Sequence, residues 1–236
     1  MNWQQFSRGV SRGLPVGLGY LSVSFGFGVM AVAKGLHPWI AALISATNLT
    51  SAGQFAGLTL IAAAAGVWEI VLTQLVINSR YALMSLALSQ KMGQRVGVIP
   101  RFFIAFFNTD EIFALAMAEK QPLTVPFLLG LGVLPMLGWV GGTALGALAG
   151  SILPAALATA LGMMLYGMFI AIVVPAAKQE KPVLVVVVIA AVLSCLLTFL
   201  PWLKNLSSGV AVVICTVAAA AIGAWLFPIP DEEESA

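Results

Sequence analysis

Long apolar stretches, separated by short polar segments, make up most of the chain. Single spans of about 20 mostly apolar residues, the length that a membrane-crossing helix needs, are predicted at Leu14–Ala33, Val67–Gln90, Pro182–Leu203 and Asn205–Pro230. The uncharged stretch Leu123–Ala177 is long enough for two further spans, divided near Pro154. Because irregular chain is costly in lipid, we predict an all-α, polytopic membrane helix bundle of about seven or eight segments, forming one transmembrane domain over residues 1–236.

Two stretches depart from this pattern. Gly35–Trp68 is too long for one ordinary span, and its centre, SATNLTSAGQ, is polar and weak in helix formers. Since Ser, Thr and Asn side chains compete with helical hydrogen bonds, we predict a broken or re-entrant span there. Phe102–Ala118 is shorter than a full span and carries two acids, so it either crosses the membrane or only re-enters it.

The composition excludes a soluble domain. Of the 236 residues, 61% are hydrophobic and 8% are charged, whereas soluble domains average about 25% charged residues. The net charge of +2, without a basic cluster, excludes nucleic acid as a partner and leaves the lipid bilayer as the surroundings. The sequence has no P-loop, dinucleotide fingerprint or paired metal-ligand motif, so we expect no enzyme, no cofactor and no metal. A G-x-S-x-G match at residues 9–13 is attributed to chance, since no strand precedes it.

The charges near the helix ends leave the orientation open. Arg8 and Arg12 precede the first span and favour a cytoplasmic N-terminus. If every segment spans, the basic loop with Lys91 and Arg101 lies outside, against the positive-inside tendency. If Gly35–Trp68 re-enters instead, the same loop lies inside.

An internal repeat is a further hypothesis. The stretch GVMAVAKGLHPWIAALIS resembles GTALGALAGSILPAALAT, with small residues, a Gly and a Pro in matching places around Pro38 and Pro154. Transporters commonly duplicate such units and place their site where the halves meet. The alternative is that two Ala/Gly-rich helices resemble each other without any duplication.

Arg80 is the most unusual residue, because it interrupts the apolar stretch QLVINSRYALMSLAL. An arginine at the centre of a membrane helix costs roughly 2.5–3.5 kcal/mol on insertion scales. At 100° per residue, Arg80 lies more than a quarter-turn away from a polar face formed by Gln74, Asn78, Tyr81 and Ser85. We therefore predict that Arg80 binds a carboxylate, or pairs with an acid on a neighbouring helix, inside a cavity. The alternative is that it snorkels to the interface or joins helices together.

The predicted break in TNLTSAGQF is a second candidate site. Unwound backbone and free helix ends bind the polar groups of small solutes in discontinuous membrane helices. The side chains that we expect to bind a small zwitterion there are Asn48, Thr50, Ser51 and Gln54. The alternative is close helix packing through the GxxxG pair of Gly53 and Gly57.

The acids in FFNTDEIFALA form a third candidate. Desolvation in an apolar setting raises the proton affinity of a carboxylate, so Asp110 and Glu111 are the predicted proton carriers. The alternative is a capping box, in which Asn108 and Glu111 open a helix.

Several motifs, in consistent order over nearly the whole chain, make it similar to the AzlC-type large subunit of bacterial branched-chain amino acid exporters. The start GLPVGLGY…FGFGVMA, the element AGQFAGL, the acidic element NTDEIFALA and the Gly-rich LGWVGGTALGALAG all resemble the family. The run LVINSRYALMSLAL resembles the family's Ile-Asn-x-Arg-His-x-Leu pattern, but Tyr81 replaces the histidine. Tyrosine does not titrate near neutral pH, so a role for that histidine in proton handling does not transfer to this chain.

The resemblance implies a multi-pass transporter domain in the bacterial cytoplasmic (inner) membrane. It implies secondary-active export of branched-chain or similar small neutral amino acids, and a small AzlD-type membrane subunit as partner. We expect substrate binding at Asn48, Thr50, Ser51, Gln54, Asn78, Arg80 and Tyr81, and proton coupling at Asp110 and Glu111. Two alternatives stay open: a structural membrane subunit whose partner carries the substrate site, and a transporter of a different small solute.

Overall fold

The computed structural model describes residues 2–92, 96–150, 170, 173–200, 206 and 208–228. The helices within these residues are α1 (Trp3–Ala33), α2 (Pro38–Thr47), α3 (Ser51–Ala62), α4 (Val67–Met92), α5 (Val98–Phe106), α6 (Asp110–Ala118), α7 (Val125–Gly150), α8 (Lys181–Phe199) and α9 (Ser208–Leu226). Among the described helices, α1, α4, α7, α8 and α9 are long and apolar enough to cross a membrane. The prediction of an all-α, multi-pass membrane protein is confirmed. The division near Pro154 and the second half of the second copy of the proposed repeat lie outside the described residues.

The chain divides into two compact units. The first unit comprises Met1–Leu58 and Asn78–Leu165, and the second comprises Thr59–Ile77 and Tyr166–Ala236. In the second unit, α8 and α9 pack on each other, with Gly223 close to Val186. The site described below lies within the first unit. A single transporter domain over residues 1–236 stays a prediction.

Helices α1 and α7 pack along each other with their backbones in direct contact. On each helix the contact glycines recur every four residues, Gly9, Gly13 and Gly17 on α1 and Gly138, Gly142 and Gly146 on α7. A Cβ atom on Gly28 would lie 2.5 Å from the amide nitrogen of Ala147. Since Gly9 meets Phe127 at one end and Gly28 meets Ala147 at the other, the two helices run parallel. Small residues permit this approach because no side chain separates the backbones.

Two neighbouring glycines of α7 allow a matched test of this packing. A Cβ on Gly142 would collide with the Ser24 hydroxyl and the Leu21 carbonyl oxygen, whereas a Cβ on Gly141 meets nothing within 4 Å. We expect Gly142→Ala to destabilise the protein by about 1–3 kcal/mol, the usual cost of overpacking a filled contact. Gly141→Ala is the control and should cost nothing, since alanine is the better helix former. Thermal denaturation of both variants in detergent checks this, and equal melting temperatures would contradict it.

The predicted break in Gly35–Trp68 is confirmed, and it separates α2 from α3. Asn48 has extended backbone angles, φ −146° and ψ 112°, that end α2. Its side-chain Oδ1 accepts a hydrogen bond of 3.1 Å from the amide nitrogen of Thr50. The Thr50 hydroxyl in turn accepts one of 3.3 Å from the amide nitrogen of Gly53, which satisfies a free donor at the start of α3. The polar side chains therefore replace the helical hydrogen bonds that the break removes.

A second break separates α5 from α6. Thr109, with φ −80° and ψ 169°, is the extended residue before α6. The capping-box interpretation is wrong, because Thr109 and not Asn108 is the N-cap. The Asn108 amide instead donates to the Ser85 hydroxyl over 3.1 Å. Glu111 accepts from the hydroxyl of Tyr20 rather than from the backbone of its own helix start.

Helices α5 and α6 form a hairpin, and both the start of α5 and the end of α6 lie at the C-terminal end of α4. Arg101, in the first turn of α5, donates to the carbonyl of Ser89 over 3.4 Å. Lys91, two residues further along α4, donates to the last carbonyls of α6, including that of Met117 at 2.6 Å. Each nine-residue helix is roughly 14 Å long, about half of a 30 Å bilayer core. Of the two alternatives for Phe102–Ala118, the structure therefore favours re-entry.

The same end of the first unit also holds the N-terminal part of α1. Nη2 of Arg8 lies 3.9 Å from Oε2 of Glu119, which follows α6. Arg8, Lys91 and Arg101 therefore lie at one end of the unit. This agrees with the alternative in which Gly35–Trp68 re-enters and the basic loop shares a side with the N-terminus.

Candidate functional site

A cavity of about 260 Å³ lies where the two helix breaks face the middle of α4. Its lining comes from the first break with Thr47, Asn48, Leu49 and Thr50, from α4 with Asn78 and Tyr81, and from the second break with Ala105, Phe106, Asn108 and Thr109. Irregular backbone at membrane depth is tolerated where it lines such a cavity. The lining is rich in amide and hydroxyl groups, so the cavity suits a small polar solute.

The polar face predicted on α4 points toward this site. Asn78 and Tyr81 line the cavity, and Ser85 accepts the hydrogen bond from Asn108. Asn78 also accepts a 2.8 Å hydrogen bond from the hydroxyl of Thr50, which ties α4 to the first break. Gln74, the fourth residue of that face, belongs to the second unit.

Arg80 forms an ion pair with Asp110 beside the cavity. Nη1 of Arg80 lies 2.6 Å from Oδ2 of Asp110, and the two side chains are 43% and 44% exposed. Nη2 also donates to the Tyr81 hydroxyl over 3.2 Å. Both partners thus adjoin lining residues, since Asp110 follows Thr109 in the chain. A neighbouring acid therefore offsets the cost of the arginine, as one of the sequence-based alternatives predicts.

Glu111 is connected to the cavity through Tyr20. The Tyr20 hydroxyl donates to Oε2 of Glu111 and lies 2.7 Å from the hydroxyl of Thr109, a lining residue. A phenol has one proton, so when it donates to Glu111 the Thr109 hydroxyl is the donor to the phenol oxygen. Tyr20 was not predicted as a site residue, because its only signal in the sequence is a phenol inside an apolar span.

Gln54 lies in a buried polar network instead of on the cavity wall. It is 2% exposed, and its Nε2 donates to the Ser45 hydroxyl over 2.7 Å while its Oε1 accepts from Nε1 of Trp139 over 2.6 Å. The Ser45 oxygen lies 2.6 Å from the hydroxyl of Thr143 on α7. Gln54 thus joins α2, α3 and α7.

The predicted site residues therefore fall into three groups. Asn48, Thr50, Asn78 and Tyr81 line the cavity. Arg80 is hydrogen-bonded to the lining residue Tyr81, Asp110 follows the lining residue Thr109, and Glu111 is connected to Thr109 only through Tyr20. Ser51 and Gln54 do not belong to the lining. Asn108 and Thr109 also line the cavity and were not predicted as site residues. The signal was present, because the polar triplet Asn108–Asp110 interrupts a short apolar segment as Asn48–Ser51 interrupts the longer one.

The chain belongs to the AzlC family: residues 15–153 match the family described as AzlC protein. It is 27% identical over 234 residues to the inner membrane protein YgaZ of Escherichia coli K12, covering 96% of this chain and 94% of that protein. An uncharacterized membrane protein of Archaeoglobus fulgidus is 31% identical over 222 residues, covering 93% and 94% of the two chains. No solved structure matches.

These comparisons confirm the resemblance inferred from the motifs. The AzlC family is linked to branched-chain amino acid export and is not a known enzyme family. The predicted inner-membrane, multi-pass localisation agrees with the name of the Escherichia coli relative and with the membrane-spanning helices.

Proposed function

We propose that this protein exports branched-chain or similar small neutral amino acids across the inner membrane by secondary-active, proton-coupled transport. A small AzlD-type membrane subunit is its proposed partner. The family membership supports the class of solute. The observation that carries the proposal is the Arg80–Asp110 ion pair beside a polar cavity between two helix breaks.

The proposed binding mode places the two charges of the amino acid at the two members of this ion pair. The solute carboxylate binds the planar guanidinium of Arg80, and the ammonium binds the carboxylate of Asp110. Amide and hydroxyl groups of Asn48, Thr50 and Tyr81 supply further hydrogen bonds. Direct roles of Ser51 and Gln54 in binding stay predictions.

This binding mode makes proton and substrate compete. An ionised Asp110 attracts the ammonium, whereas a protonated Asp110 loses that charge. Exclusive binding of proton or substrate at one site is what proton antiport requires. Glu111 is the second proposed proton acceptor, connected to the cavity by the Thr109–Tyr20 hydrogen bonds.

Thermal stabilisation of the purified full-length chain tests the proposed solute. A ligand that binds the folded protein stabilises it by about 2.7 kcal/mol at 100 times its Kd. We expect leucine, isoleucine and valine to raise the melting temperature, and glutamate and lysine to leave it unchanged. The same test on the chain co-expressed with an AzlD-type subunit is the companion measurement. Absence of stabilisation in both preparations would contradict the proposal, and stabilisation in the co-expressed preparation alone would favour a site that requires the partner.

A further inference from the structure

A second cavity, of about 360 Å³, adjoins the first one in the first unit. The two cavities share Ala105 and Asn108 as lining residues. The second cavity differs in character, because most of its wall is apolar, with Ala82, Leu86, Leu88, Met92 and Ile104. The first cavity (the polar chamber) and the second cavity (the apolar chamber) therefore lie side by side, with Ala105 and Asn108 between them.

Asn108, which lines both cavities, has a side-chain acceptor that is unpaired within the described part of the chain. The residue is 3% exposed, and its amide nitrogen donates to Ser85. Its Oδ1 atom is buried and finds no donor among the described residues. Buried acceptors in native proteins are nearly always paired, so an unpaired one between two cavities points to a donor that a ligand supplies.

We infer that the two cavities form one bipartite site for an aliphatic amino acid. The ammonium donates to Oδ1 of Asn108 as well as to Asp110, since it has three N–H donors. The aliphatic side chain enters the second cavity, where burial of each additional methylene strengthens binding. This inference rests on the proposed function and deepens it, because it assigns the residues that select for side-chain size.

Ala82 provides the test of the apolar chamber, because it lines this chamber and not the polar one. Ala82→Leu fills part of the space that a leucine side chain would occupy, and leaves the polar chamber untouched. Loss or gain of a methylene in an apolar pocket changes selectivity by about 10–200-fold. We therefore expect Ala82→Leu to weaken leucine binding about tenfold or more and to leave alanine binding unchanged. Ala87→Leu, on the same helix and in neither lining, is the matched control and should change neither affinity.

Asn108 is tested by comparing leucine with 4-methylpentanoate, the same molecule without its amine. The wild-type chain should bind leucine more tightly, and Asn108→Ala should lower that preference about tenfold because the acceptor is gone. Asn108→Asp keeps an acceptor at this position and should retain the preference. A residue with a merely structural role would change both affinities by the same factor.

Binding to the full-length chain in lipid nanodiscs measures all of these variants. If the wild-type chain binds leucine and Ala82→Leu lowers the affinities for leucine and alanine equally, the inference is overturned while the proposed function stays intact. Unchanged leucine binding in Ala82→Leu would do the same. Wild-type protein that binds no neutral amino acid would overturn the proposed function itself. The two failures are therefore distinguishable.

Discussion

Arg80→Ala should weaken the binding of leucine by the full-length chain by roughly 10- to 100-fold. A hydrogen bond to a charged group contributes about 1.5–3 kcal/mol, and each 1.4 kcal/mol is a factor of ten in affinity. In this variant the carboxylate of the solute loses both the positive charge and the paired N–H donors that the guanidinium of Arg80 supplies. Isothermal titration or thermal stabilisation in the presence of leucine measures the loss.

Two further variants separate a binding role from a structural one. Arg80→Ala leaves Asp110 without its 2.6 Å partner, so part of any loss reflects an unpaired carboxylate. The double variant Arg80→Ala/Asp110→Asn removes that unpaired charge, and it should regain stability but not leucine binding. Arg80→Lys keeps the charge without the fork of donors and should bind leucine with intermediate affinity. Normal leucine affinity in Arg80→Ala, or recovery of binding in the double variant, would make the arginine a helix-joining residue.

Asp110→Asn should abolish proton-driven export while leucine still binds. Asparagine has nearly the size of aspartate and keeps an acceptor oxygen, but it has no carboxyl group to exchange a proton. In the wild-type chain, leucine affinity should fall as the pH falls, because protonation of Asp110 removes the charge that holds the ammonium. In the variant, the affinity should be lower and independent of pH over the same range. The charged and titratable groups near Asp110 are Arg80, Tyr81 and Glu111.

Proteoliposomes measure this difference directly. Leucine counterflow without a gradient should persist in Asp110→Asn, whereas uptake or export driven by a pH gradient should disappear. Glu111→Gln is a companion variant on the neighbouring residue, and a loss of gradient-driven export in it would show that the Tyr20-linked acid also carries a proton. Unchanged gradient-driven export in Asp110→Asn at every pH would remove the coupling role of this residue.

Local features of the site were predictable from the sequence because their causes are local. The cluster of Asn, Thr and Ser at residues 47–51 competes with helical hydrogen bonds, and the chain breaks there. Helical periodicity placed Asn78, Tyr81 and Ser85 on one face, and the structure turns that face toward the two breaks. The high cost of an unpaired arginine in lipid predicted an acidic partner for Arg80.

Features that depend on distant partners were not predictable from one sequence. Gln54 was expected in the site, but Trp139, far away in sequence, binds its amide in the core. The G-x-S-x-G match at residues 9–13 was attributed to chance as an enzyme motif, and its two glycines, Gly9 and Gly13, are contact points of α1 with α7. The glycine spacing is visible in the sequence, whereas the helix that it meets depends on the folded topology.

The glycine contacts between α1 and α7 also decide which parts of the first unit are free to move. The backbones of α1 and α7 touch at glycines along most of their length. Because no side chains lie between them that could repack during a sliding movement, the two helices behave as one rigid body. The hairpin of α5 and α6, by contrast, consists of two short helices of nine residues each. We therefore expect any movement that opens the cavity to displace the short hairpin of α5 and α6, while α1 and α7 keep their positions relative to each other.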